Sequence, residues 1–231
     1  VTLKNFISDL KKVSDPKRAL WDAGYHKSTR EHWGIKVPDL EPVVKNVVKK
    51  LDESELLSLV QELWSTGIFD LMISGARILA DKKVQGSKEV WIMIKSFMKD
   101  VDGWALEDTL ARAAWKCIEQ NPRILDGLEK WTTHKNFWMR RAVLIFTLPF
   151  AKPGKDPEKM LGWAAQYVDD REWFIQKAIG WWLRDLGAHN PERVVRFLNE
   201  HWEKLQYVAK KESTRKLGQI HLQQLHHFQK S

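Results

Sequence analysis

The segment DGWALEDTLARAAWKCIE, residues 102–119, sets Trp104 and Asp108 one helical turn apart, so an indole and a carboxylate project from a common face. A carboxylate beside an aromatic surface can stabilise developing positive charge and help position a water. The same pair can equally be a core tryptophan and a surface or capping acid. Glu107 competes for the acidic role, but adjacent helical positions diverge by about 100°, so the two carboxylates are not automatically a pair. A second constellation, NFWMRRAVLIFTL at 136–148, puts Arg140 and Arg141 beside an apolar run. The rigid donor fork of arginine suits a phosphate, although pairing with a nearby acid would spend it inside the fold. Lys135, Lys177 and Arg184 would extend the positive charge if successive helices aligned their exposed edges. The third stretch, REWFIQKAIGWWLRD at 171–185, separates its two adjacent tryptophans. Trp182 follows Ile175, Ile179 and Leu186 on an apolar side, whereas Trp181 falls on a mixed lysine and aromatic face open to a ligand. Gly180 between them permits close helix packing, or is a tolerated irregularity.

These residues need helices to hold them. Apolar periodicity predicts helical runs near 3–12, 16–27, 39–50, 53–66, 69–82, 87–99, 104–119, 122–132, 136–149, 156–168, 171–187, 191–203 and 213–227. No comparable strand series appears. SDP, LDESE, NP, GKDPE and NPE supply capping side chains and first-turn prolines between runs. WIMIKSFMK at 91–99 is apolar around most of its circumference and should pack deeply. Helix, short turn and helix recur about every 30–40 residues. The expected architecture is all-α: a curved, irregular HEAT-like helical-repeat solenoid. It forms a single domain over 1–231, with 1–37 as an N-terminal capping extension and GKDPE as a loop within it.

The 231 residues are 43% hydrophobic and include 13 Trp, enough for a sizeable core and incompatible with a disordered or collagen-like chain. The net charge of +8 favours a polyanionic partner. Cys117 alone supports neither an intrachain disulfide nor a cysteine metal framework, and its apolar setting suits a structural thiol. His201, His221, His226 and His227 gather near the end without ligand spacing. No cofactor or metal is therefore expected. The absence of a signal-type core or a spanning apolar run points to an intracellular protein, cytoplasmic or nucleoid-associated if bacterial, with no membrane association.

Taken in order, NFWMRR at 136–141 and REWFIQKAIGWW at 171–182, with the Trp104-to-Asp108 spacing and YHKSTREHWGIKVP at 25–38, resemble the AlkD-type DNA alkylation-repair glycosylases. The likeness spans about 16–215. It implies a HEAT-like fold acting on double-stranded DNA that contains alkylated bases; a monomer is the starting expectation. It also implies hydrolysis of the N-glycosidic bond of cationic N3- or N7-alkylated purines in base excision repair. Mapped onto this chain, the essential acid is Asp108, the aromatic contacts are Trp104 and Trp181, and the phosphate-facing arginine is Arg141 ahead of Arg140. Tyr25 is a lesion-side aromatic. GWALE at 103–107 departs from the family pattern, which is richer in aromatic and acidic residues there. A noncatalytic protein binding damaged or branched DNA is the competing expectation.

Overall fold

The computed structural model describes residues 2–225, whose regular structure is entirely helical. The chain falls into two compact units, Val1–Ile124 and Leu125–Ser231. In the first, α1 (Leu3–Lys11), α2 (Pro16–His26), α3 (Val37–Lys50), α4 (Glu53–Ser65), α5 (Phe69–Ala80), α6 (Lys88–Phe97) and α7 (Trp104–Gln120) follow one another. α4 and α7 pack on α5, α6 lies against α7, and α1 seats on α3 and α4. α8 (Ile124–Glu129) begins at the last residue of the first unit and leads into the second. The second unit continues with α9 (Phe137–Ile145), a 3-10 turn (Leu148–Ala151), α10 (Glu158–Gln166), α11 (Trp173–Gly187), α12 (Pro191–His201), α13 (Tyr207–Thr214) and α14 (Gln219–Gln223). There α11 is central, packed on α9, α12 and α13. No helix among the described residues is long and apolar enough to cross a membrane.

The predicted starts have the expected chemistry. Asp15 accepts from the amides of Lys17 and Arg18 ahead of Pro16. Asp52 and Glu55 form a reciprocal capping box, and Asn190 caps α12 at Arg193. Three elements differ from the periodicity. Ile92 on α6 is 52% exposed, and the most enclosed helix of this unit is α5, where Phe69 through Ala76 are all buried. Apolar composition alone could not tell an outer helix from an inner one. α9 ends at Ile145 because the Thr147 hydroxyl takes the carbonyls of Val143 and Leu144, while Pro149 offers no N–H, and the chain tightens into the 3-10 turn. The run expected over 213–227 is split: α13 closes at Thr214, and the extended Gly218 sets a new axis for α14. Residues 226–231, including His226 and His227, lie outside the described residues.

Polar ties give the repeat its period. Lys83 Nζ donates to the carbonyls of Val48 and Leu51 at the end of α3. Lys116 Nζ does the same for Leu79, Asp81 and Val84 after α5. Arg77 pairs with Glu41, and the Trp64 indole donates to Asp100. In the second unit Trp182 donates to the Thr147 carbonyl, Arg193 pairs with Glu158, and Lys204 with Asp169. The partners stand 32 to 37 residues apart, one helix pair from the next. The lysine-to-carbonyl ties and the Trp182 bond satisfy groups that would otherwise be stranded, whereas the Lys204–Asp169 pair lies at the surface.

Gly180 is a packing requirement: α11 runs unbroken through it. A Cβ there would stand 2.7 Å from Glu212 Cβ and 2.9 Å from the Ala209 carbonyl oxygen on α13. Gly180→Ala should therefore destabilise the protein by roughly 1–3 kcal/mol, read as a lowered urea midpoint and melting temperature, despite alanine's higher helix propensity.

Candidate functional site

α7 is joined to α2 at its first turn. A Cβ on Gly103 would lie 2.7 Å from the His26 carbonyl oxygen, so glycine is what permits the approach. Next in the chain, the Trp104 indole donates to the Tyr25 carbonyl at 3.3 Å, and the two rings meet edge-on with centroids 5.4 Å apart. One turn later Asp108, half-buried, lines a cavity of about 500 Å³ walled by Tyr25, His26, Phe69, Trp104 and Arg112. Tyr25 also stacks on the exposed Trp21 at 4.7 Å. Glu107 is fully buried, so the helix period sends one acid inward and the other to the cavity.

The wall carrying Tyr25 and His26 is fixed by residues 27–36, which have no helical or strand structure. Two acids hold this stretch. Asp102 accepts from the Ser28 hydroxyl at 2.8 Å, the Thr29 amide at 3.3 Å and Arg30 Nε at 3.2 Å. Arg30 in turn donates to the carbonyls of Gly67 and Asp100. Asp70, buried on α5, accepts from the amides of Trp33 at 2.7 Å and Ile35 at 3.0 Å. Burial pushes the Asp70 carboxyl above its usual range, against the opposing pull of those two amides. Behind Tyr25, the His26 and Phe69 rings stack at 4.4 Å, and His32 stacks on Phe69 at 4.1 Å. Burial holds His26 down at about 4, outweighing the nearby Asp22. Asp22 is itself buried and paired with Arg18 Nε at 3.1 Å.

The remaining expected site residues belong to the second unit. Trp182 is fully buried, while Trp181 is half-buried with the Arg184 guanidinium over its ring at 5.7 Å. Arg184 and Lys177 both bind Glu212, at 2.7 and 2.6 Å. Burial alone would raise the Glu212 carboxyl, but Lys177, Arg184 and Arg215 together hold it below its usual range. Arg140 donates to Asp170 at 2.9 Å and to the carbonyls of His134 and Lys135. Arg141 is only 2% exposed, its guanidinium 5.8 Å from the Trp138 ring. Of the expected cations, Lys135 is the exposed one. Cys117 is buried, and burial raises its thiol to about 11, as a structural cysteine requires. His221 lies 3.3 Å from Glu192.

Two cavity residues and one long-range tie lie outside the sequence-based expectations. Arg112 was legible in principle, since it stands four positions after Asp108 on the same helical face and is exposed. His26 was not, because its place depends on contacts with Gly103 and Phe69 that are remote in sequence. The Arg30–Asp102 tie spans 72 residues and has no local signature. Asp70→Ala strands two backbone amides, each worth roughly 1–3 kcal/mol. The variant should show reduced stability together with faster amide exchange at Trp33 and Ile35. Unchanged exchange would mean the segment is held by other means.

The model of a family described as DNA alkylation repair enzyme matches residues 6–217. Among solved structures, the chain is similar to a predicted DNA alkylation repair enzyme from Enterococcus faecalis. That similarity has a TM-score of 0.75 and 21% identity, covering 89% of this chain and 97% of the other. It is also similar to AlkD2 from Streptococcus mutans, with a TM-score of 0.64 and 16% identity over 94% and 99% of the two chains. No curated protein sequence matches it. These likenesses carry the fold, and the match across nearly the whole length carries the membership: the chain belongs to the DNA alkylation repair enzyme family.

Proposed function

We propose that the protein is a DNA glycosylase that hydrolyses the N-glycosidic bond of cationic N3- or N7-alkylated purines in double-stranded DNA, the first step of base excision repair. The observation that carries this reading is the half-buried Asp108 carboxylate in a cavity walled by Tyr25 and Trp104. An alkylated purine that already bears a positive charge leaves without strong acid assistance. What the enzyme must then do is stabilise the sugar cation that forms at C1′ and present water to it. A carboxylate kept partly out of solvent does the first electrostatically, and the electron-rich faces of Tyr25 and Trp104 add cation–π attraction. Arg112, exposed at the cavity, is placed to hold a flanking phosphate.

In the second unit Trp181 and Lys135 are the proposed DNA contacts, Trp181 through its partly exposed ring and Lys135 through its charge. Arg140, Lys177 and Arg184 are engaged by acids within that unit, and Arg141 is buried. All four therefore serve the fold before they serve DNA. Release of the base leaves an abasic site, which the reading assigns to other repair enzymes.

Asp108→Asn should retain the melting temperature and DNA affinity while slowing release of 7-methylguanine or 3-methyladenine by about 10²–10³-fold, the usual cost of removing a preorganised charge from a transition state. Release at the wild-type rate would sink the assignment. A folded wild type that binds alkylated DNA and releases neither base would instead be a noncatalytic binder of damage. Lys135→Ala should weaken binding to all DNA sequences alike and lower the slope of log K against log salt by about one. Arg141→Ala should act chiefly on stability, seen as a lower melting temperature with an unaltered salt slope.

A further inference from the structure

Hydrogen bonds of His26, which lines the cavity, and of His32 beside it fix where their protons sit. His32 Nδ1 lies 2.8 Å from the Arg30 carbonyl, which can only accept, so that nitrogen carries the hydrogen. In the neutral ring His32 Nε2 then offers a lone pair. His26 Nδ1 faces it at 3.4 Å and supplies the hydrogen. What is left is His26 Nε2 as a bare acceptor. Among the described residues nothing hydrogen-bonds that atom, and it is not sealed from solvent. Packing holds the ring still: Phe69 stacks on it, His32 lies beside it, and Tyr25 and Trp104 meet it edge-on at 5.4 and 5.7 Å. The Gly103 contact with the His26 backbone ties this ring to the start of the helix that bears Asp108, and both residues line one cavity.

We infer that His26 is the catalytic base of this cavity, its Nε2 taking a proton from the water that attacks C1′ as the damaged base departs. This rests on the glycosylase reading. The C1′–N bond breaks with its electron pair going to the cationic purine, which leaves neutral. The water oxygen bonds to C1′, one of its protons passes to His26 Nε2, and the imidazolium later returns that proton to solvent. No oxidant, metal or further reactant is needed for the balance. A weak base suffices because water adding to a sugar cation becomes strongly acidic. Burial keeps the resting ring neutral and ready at pH 7. The charged groups around it are Asp22 and Arg18 on its own helix, His32 on the connecting segment, Asp70 and Arg77 on α5, and Asp108 and Arg112 on α7. Asp22 would favour the imidazolium once it forms, against the opposing charges of His32 and Arg18.

The test is single-turnover release of 7-methylguanine from duplex DNA by the wild type, His26→Ala, His26→Gln and Asp108→Asn, with melting and DNA binding measured alongside. His26→Ala should lose about a hundredfold or more in rate while binding DNA normally. Added imidazole should restore part of it, more at pH 8 than at pH 6, since only the free base can take the proton. His26→Gln keeps a polar side chain of similar reach but cannot accept this proton, and should stay as slow as the alanine variant. A glutamine variant within threefold of wild type, or an alanine variant whose loss imidazole does not relieve, would overturn the role of His26. Should neither variant fold, a wild-type rate that stays flat as pH drops toward 4 would overturn the proposal. Wild type active, Asp108→Asn slow and His26→Ala unimpaired would remove the base and leave the glycosylase reading standing. A wild type that releases no base overturns both.

Discussion

Ten residues, 27–36, cross the first unit without a helix or strand to satisfy their backbone, and the geometry of the cavity rests on how that deficit is met. Buried amides need acceptors. Asp70 takes two of them, and Asp102 takes the exposed Thr29 amide together with the Ser28 hydroxyl and the Arg30 guanidinium. Because these acids sit on α5 and immediately before α7, the segment is fixed against the two helices that shape the cavity floor. Hydrogen bonds to charged groups contribute roughly 1.5–3 kcal/mol each, more than neutral ones, which explains why carboxylates serve here where a helix would use its own carbonyls. Burial raises the Asp70 carboxyl all the same, so the site accepts an electrostatic cost for a rigid wall.

The same solution recurs with the charge reversed. Lys83 and Lys116 collect carbonyls from the ends of α3 and α5, one helix pair back. Burial lowers Lys116 from its ordinary value, and the three carbonyls compensate by direct hydrogen bonds. Such ties make each helical pair dependent on its neighbour in sequence, the energetic hallmark of repeat architectures. They also explain why the repeat is faint in the sequence. What recurs is a donor within reach of a helix end, and lysine, arginine or tryptophan all supply one.

The helices were therefore legible and the site only partly so. Caps such as Asp15 and Asp52, and the apolar rows along α7 and α11, act within a few residues and leave a local trace. On α7, Leu110, Ala114 and Ile118 are buried as their spacing requires, and on α11 Trp182 is buried where Trp181 is not. Charge was the misleading signal. A net +8 suggests free cations, yet Arg30, Arg140, Lys177 and Arg184 are each bound to an acid of the protein. Only contacts across tens of residues show which cations the fold engages, and Lys135 and Arg112 look no different from the others in sequence.

Glu107 and Asp108 show how much one residue of phase decides. They share composition and neighbourhood, and the roughly 100° between adjacent helical positions assigns them opposite surroundings. Glu107 lies in the interior, where changing its charge would disturb packing. Asp108 borders a cavity, where its carboxylate is not stripped of all solvent. Complete burial would make a lone carboxylate costly to ionise, and full exposure would let water screen its field. The half-buried position lies between these limits. It is set by Trp104 a turn earlier and by the glycine that lets α7 begin against His26. The electrostatics of the site thus follow from a steric event five residues before the acid.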